Sequence, residues 1–158
     1  MGKKTNLVRY RNDGDDFLFG DDQFERPTIE MFLTGRDSGE PFEDLTPNVP
    51  ETLSHDFLYG GSGDDTILGG GGADVILAGG GSDVVDGAAG HEVIYANSGN
   101  DLVYGGSGAD QIYAGSGEDT IFGGSSGDYV LGDGGNDSIQ SGSGNDLVGG
   151  GSGDDTIQ

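Results

Sequence analysis

Gly60-Gly61-Ser62-Gly63-Asp64-Asp65-Thr66-Ile67-Leu68 is the first of eleven consecutive nine-residue blocks that run without insertion or deletion to Gln158. The sixth position of the blocks reads Asp65, Asp74, Asp83, Glu92, Asp101, Asp110, Asp119, Asp128, Asp137, Asp146 and Asp155, a carboxylate every time. The eighth position is Ile or Val throughout, from Ile67 to Ile157. The fourth is Gly in every block but one, where Ser126 stands. A fixed period of this length decides the fold before any local reading of strands or helices does.

The pattern Gly-Gly-x-Gly-x-Asp-x-aliphatic-x resembles the calcium-binding nonapeptide of the RTX (repeats-in-toxin, haemolysin-type) family, and it covers about the last two thirds of the chain. The resemblance implies an all-β fold, a parallel β-roll (right-handed β-solenoid) with calcium in its turns. Residues 60–158 are then an eleven-repeat calcium-binding roll. Residues 1–59 form an N-terminal segment with an isolated half-nonamer (12–19), an excursion (20–53) and a first atypical repeat (54–59).

The residues support the same picture on physical grounds. Gly at positions one, two and four allows positive φ in a tight turn and close stacking of backbones. Positions seven to nine are expected to form a short strand, and alternation puts position eight on the opposite face from seven and nine. Because position eight is uniformly Ile or Val while position seven mixes Thr, Val, Leu, Gln, Tyr and Ser, position eight is the inward one. One aliphatic side chain buried per nine residues is too small an apolar gain to offset the chain entropy of a Gly-rich segment.

The missing stabilisation is expected from ions. Stacked repeats bring one row of carboxylates into register along each edge, where like charges repel without counter-ions. Calcium takes six to eight oxygens in adaptable geometry, whereas magnesium demands a tighter octahedron. The chain has no Cys and only two His, His55 and His91, so softer metals lack ligands.

In the family that the repeats resemble, two nonamers make one turn and each ion lies between a block and the next but one. The resemblance therefore implies pairing of Asp65, Asp83, Asp101, Asp119, Asp137 and Asp155 along one edge, and of Asp74, Glu92, Asp110, Asp128 and Asp146 along the other. It adds Asp56 and Asp16 from the two outlying blocks. Carbonyl ligands are expected from Gly61, Gly63, Gly70, Gly72, Gly79, Gly81, Gly99, Gly106, Gly108, Gly115, Gly117, Gly124, Gly135, Gly142 and Gly144. Alternate pairing gives about nine calcium ions, enough to offset most of the formal charge of −23. Glu92, one methylene longer than its row requires, marks the weaker sites, and Gly127 is expected to absorb the turn that Ser126 resists.

Asn12 to Phe19 and Ser54 to Tyr59 fit the second half of a nonamer, with Asp16 and Asp56 in the sixth position. Between them the chain holds all four prolines and a stretch from Pro27 to Leu33 that reads as a short helix. That excursion either caps the first rung or recognises a partner. Position nine carries Tyr95, Tyr104, Tyr113 and Phe122, with Tyr95 over Tyr113 on one sheet and Tyr104 over Phe122 on the other. Such ladders favour stacked strands, or else mark a contact patch. Thr66, Thr120 and Thr156 form no continuous row, which argues against ice binding.

Several functions are excluded or disfavoured. The acidic balance opposes nucleic-acid binding, and no apolar run is long enough for a membrane span or a signal-peptide core. Neither histidine has the partner set that catalysis needs, so no enzyme is expected. No segment resembling a type I export signal follows Gln158. The expected role is an extracellular or cell-surface calcium-binding roll that folds on its ions. The complete last nonamer is consistent with a head-to-tail homopolymer of matrix or surface-layer type. The alternative is a folding and secretion module of a larger exported toxin or hydrolase.

Overall fold

The computed structural model describes residues 7–9, 17–19 and 55–158. Every strand pair among them is parallel. From Phe57 onward each residue lies beside the residue eighteen positions on, as Ile76 does beside Ile94 and Val103 beside Ile121. Two nonamers therefore make one turn of a parallel β-solenoid.

Alternate blocks build two sheets. One takes, in spatial order, Leu7–Arg9, Thr66–Leu68, Val84–Asp86, Leu102–Ser107, Thr120–Ser125, Ser138–Ser143 and Thr156–Ile157, with Gly71–Gly72 and Ala89–Gly90 alongside. We call it the odd sheet, after the parity of its blocks. The even sheet runs Leu147–Gly149, Tyr129–Gly134, Gln111–Ser116, Val93–Ser98, Val75–Gly80, Phe57–Ser62 and Phe17–Phe19. The half-nonamer near the N-terminus joins the roll as a strand of its own, Leu18 pairing with Leu58. The expected helix at 27–33, the excursion 20–53 that contains it, and Asp16 lie outside the described residues.

The strands are longer than positions seven to nine. From Val93 to Ser143 they run six residues, through position three of the following block. Alternation along six residues buries position one as well as position eight. Ala78, Ala96 and Ala114 are fully buried there beside Ile76, Ile94 and Ile112. Position one is thus a second inward layer and not a positive-φ turn residue, contrary to the sequence expectation. Counting back two from position eight makes position six inward too, and its carboxylates are buried through Asp137. The core is three layers of aliphatic, small and charged groups, repeated at every rung.

Positive φ is confined to positions two and four. Gly fills most of them, but Ala88, Asn97 and Asp133 take φ of 71°, 76° and 69° at position two. Ser126 takes 87° itself at position four, so Gly127 does not relieve it. Asn and Asp tolerate this region better than other residues, which suits positions 97 and 133.

The outer faces differ. Tyr95 and Tyr113 stack with centroids 4.9 Å apart and planes 8° apart on the even sheet, and Tyr104 and Phe122 stack at 5.0 Å and 7° on the odd one, as expected. Tyr129 continues the even stack at 5.8 Å, tilted by 54°. From Phe57 to Leu147 the outward side chains of the even sheet at positions seven and nine include no charge, whereas the odd sheet intersperses Thr66, Asp86, Thr120, Ser138 and Gln140. Thr66 and Thr120 are separated on their sheet by Val84 and Leu102, so the threonines form no row.

Gly117 and Gly80 test these constraints. At Gly117, with φ of 140°, a Cβ would fall on the Gly99 carbonyl oxygen, whereas at Gly80 it would meet only the Ser98 hydroxyl at 3.2 Å. Gly117→Ala is expected to lower the melting temperature of the calcium-saturated chain, left-handed strain alone costing about 1–2 kcal/mol. Gly80→Ala is expected to leave it nearly unchanged. Equal losses from the two would contradict the assigned turn geometry.

Candidate metal centres

The sixth-position carboxylates are held by the backbone of the rung before. The N–H of each donates to the Oδ1 of the carboxylate eighteen residues on: Asp65 to Asp83, Asp83 to Asp101, Asp101 to Asp119, Asp119 to Asp137 and Asp137 to Asp155, at 2.8 to 3.0 Å. The other edge runs Asp56 to Asp74, Glu92 to Asp110, Asp110 to Asp128 and Asp128 to Asp146, over a similar range. Glu92 does not continue that ladder downward, and neither of its oxygens takes a hydrogen bond.

One oxygen of each accepting aspartate is thereby satisfied, and for seven of them the other is not. The Oδ2 atoms of Asp74, Asp83, Asp101, Asp110, Asp119, Asp128 and Asp137 are buried without a hydrogen-bond partner. A buried, unpaired carboxylate oxygen is costly unless a positive group answers it. Residues 55–158 contain no Lys or Arg that could do so, because all six precede residue 37.

These oxygens point into a prepared space. A Cβ added at Gly69, Gly105 or Gly123, each at position one, would stand 2.8 to 3.0 Å from the Oδ2 of the carboxylate in its own block. Gly at position one is thus packed against the carboxylate of its block, a place that Ala78, Ala96 and Ala114 fill in theirs, and it takes no positive φ. All fifteen glycines expected as carbonyl ligands occupy positions two and four and have positive φ. Their carbonyls face the next rung: Gly70 and Gly72 accept the N–H groups of Ala89 and His91 at 3.0 and 3.3 Å. Among the described residues no three His, Asp or Glu side chains converge on one point. An ion held here would draw side-chain oxygens from one row and complete its shell with backbone carbonyls.

Electrostatics give the same message. Burial raises Asp83 from 3.8 to about 6 and Asp101 to about 7, opposed by the N–H bonds of Asp65 and Asp83 and reinforced by like charge in adjacent rungs. Burial likewise raises Asp74, Asp119, Asp128 and Asp137, each moderated by the backbone N–H it accepts. Glu92 is pushed up to about 9 by burial first, then by the Asp110 carboxyl at hydrogen-bonding reach and by Asp74. Rows of buried acids that resist ionisation in the absence of a cation suit a hard dication, which would hold them ionised.

Position five supplies a second row that the sequence did not disclose. The side chain of Asp64 accepts the N–H of Ser82, Asn100 that of Glu118 and Asn136 that of Asp154, all at 2.9 Å. On the other edge His55 and His91 accept through Nδ1 the N–H groups of Ala73 and Ala109, at 3.0 and 2.8 Å. The histidines are therefore structural acceptors in the turns. Mixed residue types at this position conceal the shared role, although most of those named can accept a hydrogen bond.

The family model described as RTX calcium-binding nonapeptide repeat (4 copies) matches residues 52–85, 86–121 and 122–157. No curated protein and no solved structure gives a significant match.

The raised acids fix a sign for pH dependence. Their folded values exceed the unfolded ones, so without metal the stability they contribute is fully present below pH about 4 and is lost as pH rises through about 6, 7 and 9 for Asp83, Asp101 and Glu92. The metal-stripped chain is expected to gain strand signal in far-UV circular dichroism on acidification from pH 9 to 5. The calcium-saturated chain is expected to lose it, since protons then compete with the ion. Matching trends in the two samples would contradict the carboxylate assignment.

Proposed function

The chain belongs to the RTX calcium-binding nonapeptide repeat family, and on that premise we propose that it is an extracellular structural roll whose fold is switched on by calcium. The observation that carries this reading is the row of buried, unpaired carboxylate oxygens in a segment without Lys or Arg. In the unfolded chain these groups are solvated and repel one another, and the Gly-rich sequence has little apolar surface to bury. Calcium binding to the folded form alone shifts the equilibrium by mass action. Asp65, Asp83, Asp101, Asp119, Asp137 and Asp155 would serve one edge, and Asp56, Asp74, Glu92, Asp110, Asp128 and Asp146 the other, with turn carbonyls completing each shell. The ion supplies charge neutralisation and a fixed oxygen cluster. The backbone ladder orients the aspartates from Asp74 onward through one oxygen, leaving the other for the ion.

Low calcium inside a cell and high calcium outside would keep such a chain unfolded until export. In this proposal the roll does no chemistry and serves as a matrix or surface element, with copies adding head to tail through the strand edges at the two ends of the stack. A second reading takes the roll as the calcium-triggered folding module of a larger exported protein.

Chelation is expected to abolish strand signal and calcium to restore it; strand content indifferent to a strong chelator would overturn the proposal. Electron microscopy of the calcium-loaded chain separates the two readings, since fibres that dissolve on chelation belong only to the first. Asp101→Ala or Asp119→Ala, each between two neighbours in its row, is expected to raise the calcium concentration at the folding midpoint severalfold more than Asp155→Ala.

A further inference from the structure

The turn from Gly87 to Glu92 holds its carboxylate differently from the others. Glu92 is buried, with 1% of its surface accessible, and both of its oxygens lack a partner. Its extra methylene carries the group across the turn. A Cβ at Gly87, position one, would stand 3.4 Å from Oε2, and one at Gly90, position four, 2.5 Å from Oε1. The Cβ positions built at Gly81, Gly108 and Gly117, also at position four, meet backbone of the previous rung or the Asn100 side chain, and no sixth-position carboxylate.

The same carboxylate reaches the next rung. Asp110 accepts the Glu92 N–H through Oδ1, leaving Oδ2 unpaired, and its carboxyl lies at hydrogen-bonding reach of the Glu92 carboxyl. Two carboxylates are acceptors only, so a proton or a cation must stand between them for the contact to be favourable. Asp83, Asp101 and Asp119 each offer one unpaired oxygen to their row, whereas Glu92 and Asp110 offer three between them, both of Glu92 and Oδ2 of Asp110.

We propose that Glu92 and Asp110 form a cation site distinct from the rest of the array, one that holds its ion most tightly and prefers higher positive charge. The proposal rests on the calcium reading above and reverses the sequence expectation that Glu92 weakens its sites. Calcium affinity rises with the number and charge of carboxylate oxygens, and a trivalent lanthanide of similar oxygen preference gains more from the added charge than calcium does. Tyr95 and Tyr113, position nine of the same two blocks, provide a donor for sensitised emission.

The test is titration of the calcium-loaded chain with terbium(III), read by tyrosine-sensitised luminescence and by the calcium displaced. The first equivalent is expected to exchange about tenfold more readily than the remainder. Glu92→Gln should remove that first step, Glu92→Asp should bring it level with the rest, and Asp86→Asn on the outer face should leave it intact. Circular dichroism of each calcium-loaded variant confirms the fold beforehand. A wild-type titration in which all equivalents exchange alike, or a first step that survives Glu92→Gln, overturns the proposal. A wild-type chain that retains no calcium on dialysis instead removes the function on which it rests.

Discussion

Rows of carboxylates buried within residues 55–158, a stretch without Lys or Arg, are the constraint that shapes this roll. Each nonamer places one such group beside an aliphatic residue and a small one, and from Asp74 onward every one but Glu92 ties one of its oxygens to the backbone of the rung before. The tie is structural, because it orients the acid. The oxygen left over is electrostatic demand, because it is buried and unanswered. The same residue therefore both builds the stack and makes the stack depend on a cation.

The rest of the architecture follows from giving that carboxylate a place. Position one must be Gly, Ala or Ser, since it shares the inward face with the acid. Positions two and four take up left-handed backbone so that the turn closes in few residues. Position five then caps an N–H of the next rung at His55, Asp64, His91, Asn100 and Asn136. The aliphatic core alone is narrow, and ionic and hydrogen-bonded layers on both sides of it complete the cross-section.

The parts legible in the sequence are those whose side chains carry the signal. Position eight announces itself as inward by being Ile or Val in every block, and position six as acidic. The pairing of residues eighteen apart came with the family resemblance, and the aromatic stacks followed from it. Position one stayed hidden because Gly has no side chain to betray a direction; only Ala78, Ala96 and Ala114, two residues beyond an inward aliphatic, mark it as core. Position five stayed hidden because Asp, Asn and His look unrelated until their common role as acceptors is seen. Glu92 was legible as an exception, but the direction of its effect depends on where the extra methylene carries its oxygens, which residue identity does not specify.

The register of eighteen also limits how such a chain can change length. Insertion or loss of two nonamers outside residues 87–113 leaves every later block on its own sheet, so the uncharged outer face and its stack of Tyr95 on Tyr113 stay whole. Insertion of a single nonamer keeps every hydrogen bond of the ladder but moves all later blocks to the opposite sheet. Asp86, if carried across in this way, would enter the uncharged face, and Tyr95 and Tyr113 would be parted by an insertion between them. The backbone is thus indifferent to parity while the surface is not, and gene duplications of eighteen codons are the ones this molecule can absorb without altering what it presents to its surroundings.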